Sequence, residues 1–538
     1  MDPDATLNRR EGKLLKLALA RSKVETALTV TTPCPGACVF YPTIEEFASP
    51  LEYIARIEPL AERTGICKIV PPRGWKPDFA VDLDNDSIRF ETRLQNIHQL
   101  QEGVEYADGR VHSFRSYQAS ANAFRRVWYT SRGVDPDTVT SEEIEQEYWR
   151  IVETGAPVMQ VEYANDLDTM VVGSGFHRVD DPASIVGAKT EDVDFKDPEY
   201  YRHTAWNLNN LPFAHGSLLR HVKGEIRGIN VPWLYCGMLF ATFCWHTEDN
   251  HMYSVNYQHI GAKKRWYGIP ATHADAFEKV LRQRVPQRFR DSPDLLFHLT
   301  TMVPPSILRS HGVEVYTLVQ EPGEIILTFP RAYHAGFSEG FNCNEACNFA
   351  LPHWIQHSRN AIEQYRLVGR SSIFSHDRVM FHFGSKESLD EYSIEHCEML
   401  LKELRLLFQE EQRYHRELEL AGLKDVVQSA ADSKIDDRTM QLDEVRACYH
   451  CKHNVFFSGV VCTCRPARLS CLRHFKGMCR CDVSFRTLIQ WVGAQELRVA
   501  IRRVQMRIQM LQRGMDGPLK RELYHPPLAH TSYVDLTG

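Results

Sequence analysis

Residues 235–270 read YCGMLFATFCWHTEDNHMYSVNYQHIGAKKRWYGIP, and this stretch decides the predicted fold. It begins as a run of β-branched, aromatic and small residues, a composition typical of a buried strand. Within it, His246 and Glu248 stand two residues apart. Alternate side chains of a strand point to the same face, whereas a helix would splay this pair apart. The stretch therefore predicts a strand that presents an imidazole and a carboxylate on one face.

A third candidate metal ligand, His334, lies in the segment ILTFPRAYHAGF, just past a second strand-like run. Two histidines and one carboxylate on one face of a metal leave the other face open, as in the facial triad of non-haem Fe(II) oxygenases. Asp249 is not expected to be a ligand, because it would point to the opposite face of the strand from Glu248. The open positions would take dioxygen and an anionic cosubstrate, and Lys264 is the candidate cation for that anion.

A His-x-Glu pair alone also fits an ordinary half-buried strand, but the segments around it carry a wider pattern. FCWHTEDNHMYSVNY, KRWYGIP, LTFPRAYHAGF and FNCNEACNF resemble the JmjC domain of 2-oxoglutarate-dependent oxygenases. The similarity is closest to the JmjN/JmjC histone lysine demethylases of the JARID type, in particular the plant-like members without ARID and PHD modules. It implies an α+β fold, with a double-stranded β-helix (jelly-roll, cupin-like) core, a packed JmjN segment and a C-terminal helical region carrying a two-zinc finger.

The resemblance also implies roles for individual residues. It assigns Fe(II) to His246, Glu248 and His334, and a methylammonium pocket to Tyr235. The cosubstrate 2-oxoglutarate would chelate the metal, and its far carboxylate would be held by Lys264, since a buried point cation needs an anion to offset its desolvation. The residues implied to surround 2-oxoglutarate are Tyr163, Phe243, Ser254, Asn256, Lys264 and Trp266.

Two positions depart from the family pattern. Ser338 stands where most members have Asn, four residues after the last iron ligand, and this change is expected to weaken a hydrogen bond near the cosubstrate. Ala346 stands where some trimethyl-directed relatives have Ser, although JARID-type members also have Ala. Neither departure removes a ligand or the lysine, so the resemblance implies an active enzyme.

Seven of the fifteen cysteines crowd into the segment CYHCKHNVFFSGVVCTCRPARLSCLRHFKGMCRC. Eight soft ligands in four close pairs fit two tetrahedral zinc sites with no open position, which makes both sites structural. His450 and His453 are spare in this scheme. The pattern resembles the seven-Cys, one-His finger of JARID-type demethylases, and we expect it to scaffold the helices beside the barrel, with a direct reader role as the alternative. The predicted zinc ligands are Cys448, Cys451, Cys462, Cys464, Cys471, His474, Cys479 and Cys481.

Charge and hydropathy exclude some classes of protein. The net charge of −6 argues against a nucleic-acid footprint along the whole chain, and no apolar run is long enough for a transmembrane helix. The start, MDPDATLNRREGK, has no apolar core and is not read as a signal peptide. The resemblance alone implies a nuclear location, with the histone H3 tail and the nucleosome as partners. For the basic helices, weak DNA contact and a purely structural role are two alternative interpretations.

Three functions compete. The first is removal of methyl groups from tri- and dimethylated lysine 4 of histone H3, with release of formaldehyde, succinate and CO2. The second is demethylation of another histone lysine (9, 27 or 36) or protein hydroxylation, and the third is a non-catalytic chromatin scaffold. Relatives directed to lysines 9 or 36 bind zinc in the catalytic domain, but here Ser292 replaces the expected cysteine near His298 and no Cys-x-Cys follows Trp354. This absence favours lysine 4.

The chain divides by composition and resemblance into eight parts. These are an N-terminal basic helix (1–33), the JmjN segment (34–76), connecting helices and loops (77–149), the JmjC catalytic domain (150–370), a helical region and linker (371–447), the zinc finger (448–481), a C-terminal helix (482–525) and a disordered tail (526–538).

Overall fold

The computed structural model describes residues 33–179, 194–222, 224–298, 300–384, 389–390, 392–428, 446–514 and 533–534. The predicted N-terminal basic helix falls outside these residues except for its last position. Most of the predicted linker before the zinc finger and most of the predicted disordered tail also lie outside them.

Strands form the larger part of the fold around the site. In chain order they are β1 Cys38–Phe40, β2 Ile66–Ile69, β3 Phe90–Asn96, β4 Ala107–His112, β5 Gln160–Asp168, β6 Trp233–Gly237, β7 Thr242–His246, β8 Tyr253–Gly261, β9 Lys264–Ile269, β10 Tyr316–Gln320, β11 Ile325–Thr328, β12 Tyr333–Ser338, β13 Asn342–Phe349, β14 Asp425–Gln428, β15 Ser458–Cys462, β16 Arg465–Cys471, β17 Arg486–Gln490 and β18 Tyr533–Val534.

Two of the sheets build the barrel. The main sheet has the order β18-β1-β2-β11-β8-β13-β6-β5-β3-β4, and the smaller sheet has the order β10-β9-β12-β7. Strands of both sheets line one shared cavity, and buried side chains of both form a common core. The predicted α+β fold with a cupin-like sheet core is confirmed.

Helices cover the outside of the barrel and continue beyond it. They are α1 Ile44–Phe47, α2 Pro50–Ala61, α3 Phe114–Thr130, α4 Ser141–Thr154, α5 Thr169–Val172, α6 Pro198–His203, α7 Ala274–Arg284, α8 Pro286–Asp291, α9 Pro305–Ser310, α10 Trp354–Val368, α11 His376–Phe383, α12 Ile394–Leu420 and α13 Ala494–Gln512. In the described part of the chain, no helix is both long and apolar enough to cross a membrane.

The JmjN segment is part of the main sheet, as predicted. β2 pairs antiparallel with β11, and Ile69 lies opposite Ile325. Helix α1 begins at a capping box, in which Thr43 accepts a hydrogen bond from the amide of Glu46 and the Glu46 side chain accepts one from Thr43. The buried ring of Phe47 then stacks on Trp206 at 4.4 Å. Strands β1 and β2 of this segment therefore extend one side of the main sheet beyond β11.

The prediction of helices and loops alone for residues 77–149 was wrong. β3 and β4 form a hairpin that extends the main sheet past β5, with Arg93 opposite Tyr163. The hairpin was missed because β4 reads ADGRVH, a polar and mostly exposed edge strand without the apolar alternation of a half-buried one. This hairpin lies next to the cavity, and Gln95 and Tyr106 line that cavity.

The zinc-ligand segment adds a third sheet, with the order β14-β17-β15-β16. Residues 482–525 were predicted as a helix, but the described part of this range, 482–514, first forms strand β17 and then helix α13, because RTLIQ pairs with β15 before the amphipathic pattern begins. Helix α12 packs along α13, and both join the core cluster that contains Trp354. Within the predicted disordered tail, β18 pairs with β1, with Val534 opposite Val39.

Candidate active site

The structure brings His246, Glu248 and His334 together at one end of the barrel. Their candidate ligand atoms all lie within 4.8 Å of one another. His246 ends β7 and lies directly opposite His334 in the antiparallel pairing with β12, so the sheet register sets the spacing of the two imidazoles. Glu248 follows the end of β7 with extended backbone, φ −64° and ψ 150°, which preserves the alternation expected from the sequence. Its Oε1 lies 3.3 Å from Nε2 of His334.

In both imidazoles, Nδ1 points away from the site and already has a hydrogen-bond partner. Nδ1 of His246 lies 2.8 Å from the carbonyl oxygen of Cys244, and Nδ1 of His334 lies 3.1 Å from that of Ala332. A carbonyl oxygen only accepts, so the proton sits on Nδ1 and the Nε2 lone pair faces the site. Nδ2 of Asn348 donates to Oε2 of Glu248 at 2.9 Å, which leaves Oε1 for a ligand.

The protonation states suit a divalent metal. Burial, with the neighbouring His334, lowers the pKa of His246 to about 4, so its ring is neutral at pH 7. Burial opposes ionisation of Glu248, but His334, His246 and the Asn348 amide outweigh it and lower the pKa of Glu248 to about 2. The neutral imidazole of His246, the carboxylate of Glu248 and the imidazole of His334 point at one position, and this donor set fits Fe(II) with open sites on the far side.

A cavity of about 310 Å³ adjoins the triad. Every residue that the sequence placed around the cosubstrate and the methylammonium group lies on its wall. From the smaller sheet come Phe243, Lys264 and Trp266, and from the main sheet come Tyr163, Tyr235, Ser254 and Asn256.

Lys264 is a buried cationic residue on the wall of this cavity. Its Nζ donates to the hydroxyl of Tyr163 at 3.4 Å and lies 4.9 Å from the ring centre of Phe243 and 5.6 Å from that of Trp266. None of the described carboxylates forms an ion pair with it. Burial lowers the pKa of Lys264 to about 7, an effect that the thiols of Cys236 and Cys343 partly offset. A buried ammonium without a counter-charge fits the carboxylate of a diacid.

The polar residues beside Lys264 are already hydrogen-bonded. Ser254 shares a 2.6 Å hydrogen bond with Thr328, and Oδ1 of Asn256 accepts from Nδ2 of Asn344 at 2.9 Å. Ser338, the departure from the family pattern, lies opposite Lys264 in the β9–β12 pairing and donates to Oδ1 of Asn342 at 3.2 Å. The second departure, Ala346, lines the cavity and adds no polar group.

Several cavity residues were missed from the sequence. Gln95 on β3 exchanges two hydrogen bonds, 2.7 and 2.8 Å, with the backbone of Thr242 and so ties the start of β7 to the main sheet. Asp166 has a left-handed backbone (φ 57°) at a register shift in β5 and is hydrogen-bonded to Tyr235. The only sequence signal was the pair Asn165-Asp166 in the middle of the strand QVEYANDLD. The other cavity residues that were not predicted are Tyr106, Asn165, Thr242 and Cys244.

The eight predicted zinc ligands gather into two groups of four. The first cluster is Cys448, Cys451, Cys471 and His474, and the second cluster is Cys462, Cys464, Cys479 and Cys481. Along the chain the pairs alternate between the clusters: the first and third pairs form the first cluster, and the second and fourth pairs form the second cluster. Four thiol or imidazole donors leave no open position, which fits structural zinc. His453 contacts Asp377 at 3.3 Å and is in neither cluster.

Three family models match this chain. They are the jmjN domain at residues 38–71, the JmjC domain, described as a hydroxylase, at 233–349, and the C5HC2 zinc finger at 448–500. The JmjC match implies Fe(II) and 2-oxoglutarate as cofactors, and the finger match implies zinc.

Three similar proteins with curated names are demethylases. The rice (Oryza sativa subsp. japonica) Lysine-specific demethylase JMJ703 is 36% identical over 517 residues, which cover 86% of this chain and 40% of the relative. Arabidopsis thaliana Lysine-specific demethylase JMJ17 is 38% identical, covering 72% of this chain and 31% of the relative. Gallus gallus Lysine-specific demethylase 5B is 36% identical, covering 70% and 24%. The chain thus spans less than half the length of these relatives.

The JmjN, JmjC and C5HC2 matches fall in the same order along the chain as the sheet edge, the metal-binding barrel and the paired cysteine clusters of the structure. The chain therefore carries a jmjN domain, a JmjC domain and a C5HC2 zinc finger, and its homologues are lysine-specific demethylases of the JARID type.

Proposed function

We propose that this chain is an Fe(II)- and 2-oxoglutarate-dependent demethylase of tri- and dimethylated lysine 4 of histone H3. The observation that carries the proposal is the convergence, in one cavity, of three metal-ligand atoms within 4.8 Å and a buried ammonium that forms no ion pair with any described residue. A structural metal site would close its coordination sphere and would need no buried cation beside it.

In this proposal, Nε2 of His246, Nε2 of His334 and Oε1 of Glu248 hold Fe(II). When bound, Fe(II) with 2-oxoglutarate and dioxygen supplies hydroxylation of an N-methyl group, with loss of succinate, CO2 and formaldehyde. Lys264 and Tyr163 receive the far carboxylate of 2-oxoglutarate, and Phe243 and Trp266 exclude water from its carbon chain. Ser254 and Asn256 border the same ligand.

The methylated lysine would enter from the side of Tyr235 and Asp166. The hydroxyl of Tyr235 is hydrogen-bonded to the carboxyl group of Asp166, and burial raises the pKa of that carboxyl group. The face of an aromatic ring attracts a methylammonium cation, and the oxygen atoms of a neighbouring carboxyl group add to this attraction. Ala346 leaves room on the same wall.

The proposal favours lysine 4 over lysines 9 and 36 because the described residues hold no counterpart of the zinc site found in the other JmjN/JmjC group. Ser292, at the position of the expected cysteine, donates to Asp294 at 2.8 Å and lies 3.2 Å from Nε2 of His298. Its hydroxyl is thus used in a local turn that offers no thiolate. The similarity to the JARID type points the same way.

Two structural Zn(II) ions, one for each cluster, complete the proposed cofactors. The histone H3 tail and the nucleosome are the proposed partners, and the nucleus is the proposed location. The support for partners and location is the likeness to lysine-specific demethylases.

The test is a panel of H3 peptides, each trimethylated at lysine 4, 9, 27 or 36 and incubated with the Fe(II)-loaded chain, 2-oxoglutarate and air. We expect the lysine 4 peptide to lose mass in steps of one methylene, with one succinate formed for each step. The Glu248→Ala variant is the control. Methyl loss only from another peptide would overturn the lysine 4 assignment. Succinate formation with an oxygen gained and retained would indicate a hydroxylase, and binding without any turnover would indicate a scaffold.

A further inference from the structure

The turn that follows Glu248 has an unusual backbone. Asn250 (φ 52°) and His251 (φ 51°) are consecutive non-glycine residues in the left-handed region. Such backbone persists only where the surrounding structure over-determines it, and it clusters at functional sites. Because Asp249 is joined directly to the proposed iron ligand, any shift of this turn moves the Glu248 carboxylate.

Helix α10 and the residues just after it hold this turn through side chains. The Tyr365 hydroxyl accepts from the Asn250 amide at 2.8 Å, and the Trp354 indole donates to the Asn250 carbonyl at 2.9 Å. Nη2 of Arg370 donates to Oδ1 of Asp249 at 3.0 Å. Asn250 and Trp354 are fully buried, so water does not compete for the hydrogen bonds of Asn250, whereas the Arg370–Asp249 pair is partly exposed. The helix therefore sets the position of the turn.

The same helix contacts the first zinc cluster. Nη1 of Arg366, the residue after Tyr365, lies 3.7 Å from Sγ of Cys471 and 3.9 Å from Sγ of Cys451. One turn earlier, Glu363 accepts two hydrogen bonds, 2.6 and 2.8 Å, from Arg473, which lies between two ligands of that cluster. Zinc keeps its cysteine ligands deprotonated, so the loaded cluster presents negative charge to the Arg366 guanidinium.

We infer that α10 couples the two metal centres: zinc in the first cluster holds the helix through Arg366, and the helix positions Glu248 through Tyr365 and Arg370. This inference rests on the proposed iron and zinc sites. Tyr365, Arg366 and Arg370 are then positioning residues, since none of them touches the metal. The second cluster should have no such effect, because no hydrogen bond joins it to α10 within the described residues.

The test measures Mn(II) affinity of the zinc-loaded full chain by electron paramagnetic resonance of free Mn(II). Mn(II) suits nitrogen and oxygen ligands, so it reports the proposed iron site rather than empty thiol sites. We expect Cys451→Ser to weaken Mn(II) binding about tenfold, the lower end of the range for residues that orient metal ligands. The matched variant Cys464→Ser, in the second cluster, should bind Mn(II) as the wild type does. Equal affinity in all three proteins, or an equal loss in both variants, would overturn the inference.

Variants of the helix keep the inference testable if a cysteine variant does not fold. Arg370→Ala should retain its zinc and bind Mn(II) about tenfold more weakly, while Arg370→Lys should recover part of the affinity because it restores a cation beside Asp249. Arg150→Ala, which removes the exposed ion pair with Glu147, should change nothing. If Arg370→Ala bound Mn(II) as tightly as the wild type, the inference would be overturned, while the proposed iron site would stand. A wild type that binds Mn(II) no better than His246→Ala would overturn the proposed iron site and the inference with it.

Discussion

The candidate iron site and the zinc finger solve the same problem, holding a metal, by opposite means. The iron ligands lie at the ends of strands whose register is set by backbone pairing and a large apolar core. The candidate zinc ligands lie around a small sheet. Its core cluster has six buried residues, including Leu418 and Val460. A core of that size contributes little stability by itself. The packed barrel therefore positions its candidate metal ligands by itself, whereas the finger would need its zinc ions in order to fold.

The number of protein ligands separates the two regions further. Three donors converge at the barrel site, beside a cavity and a buried ammonium, whereas four donors converge at each cluster. Three donors leave room for a cosubstrate and dioxygen, while four leave room for nothing. Reactivity at a metal therefore depends on what surrounds the ligands as much as on the ligands themselves. Four predictions test this difference between the two regions, in order of decreasing effect.

The largest effect is expected from His246→Ala. Removing one of three ligands should reduce turnover of the methylated peptide to background, because no fourth donor joins the group in the part of the chain that the structure describes. The β7–β12 pairing does not depend on this side chain, so the thermal midpoint should stay within a few degrees of the wild type. Turnover, calorimetry and zinc content by mass spectrometry check this result. Retained activity would break the ligand assignment.

Removing zinc with a chelator should unfold the finger and spare the barrel. A structural zinc contributes roughly 10–16 kcal/mol in finger peptides, which exceeds what a small core can replace. Hydrogen exchange should therefore become fast in β15 and β16 and stay slow in β8 and β13. Protection of β15 in the zinc-free protein would show that the finger, like the barrel, folds without metal.

Lys264→Met should weaken 2-oxoglutarate binding and stabilise the ligand-free protein. A hydrogen bond to a charged group is worth about 1.5–3 kcal/mol, so the KM for 2-oxoglutarate should rise roughly 10- to 100-fold. The metal-free thermal midpoint should rise, because the variant no longer buries an ammonium without an ion pair. Kinetics and calorimetry test both parts, and a lower midpoint would contradict the electrostatic account of the cavity.

The smallest effect is the pH dependence of cosubstrate binding. The pKa of Lys264 in the ligand-free fold is about 7, below its ordinary value of 10.5. Above pH 7 the free protein loses the proton that the carboxylate requires, so the KM for 2-oxoglutarate should rise by at most about tenfold per pH unit.

Folding should show the opposite trend over the same range. The unfolded lysine keeps its proton, so folding releases one and the metal-free fold gains stability from pH 7 towards pH 10. Both pH trends should be absent in Lys264→Met, where titration of the same two quantities serves as the control. A KM that does not change from pH 7 to 8 in the wild type would contradict the assignment of Lys264.

Much of the barrel site was predictable because its signals are local. The two-residue spacing of His246 and Glu248 survives in the extended backbone after β7, and Lys264 and Trp266 share a face of β9 as the strand period requires. The prediction failed for Gln95 and Tyr106, since both lie on a polar hairpin whose position depends on pairing with β5. Asp166 was missed because a register shift, invisible in the residue pattern, turns it towards Tyr235.

The amino-acid sequence alone predicted the candidate ligands, three for the barrel metal and eight for the finger, because ligand chemistry, the short spacing of most of them and the resemblance to a known family all pointed to these residues. Only the tertiary structure decided how those eight ligands divide into two interleaved clusters, and that α10 contacts both the first cluster and the turn after Glu248. The physical reason is distance along the chain. Local backbone geometry orders neighbours a few residues apart, whereas contacts between residues a hundred positions apart depend on how whole sheets and helices pack.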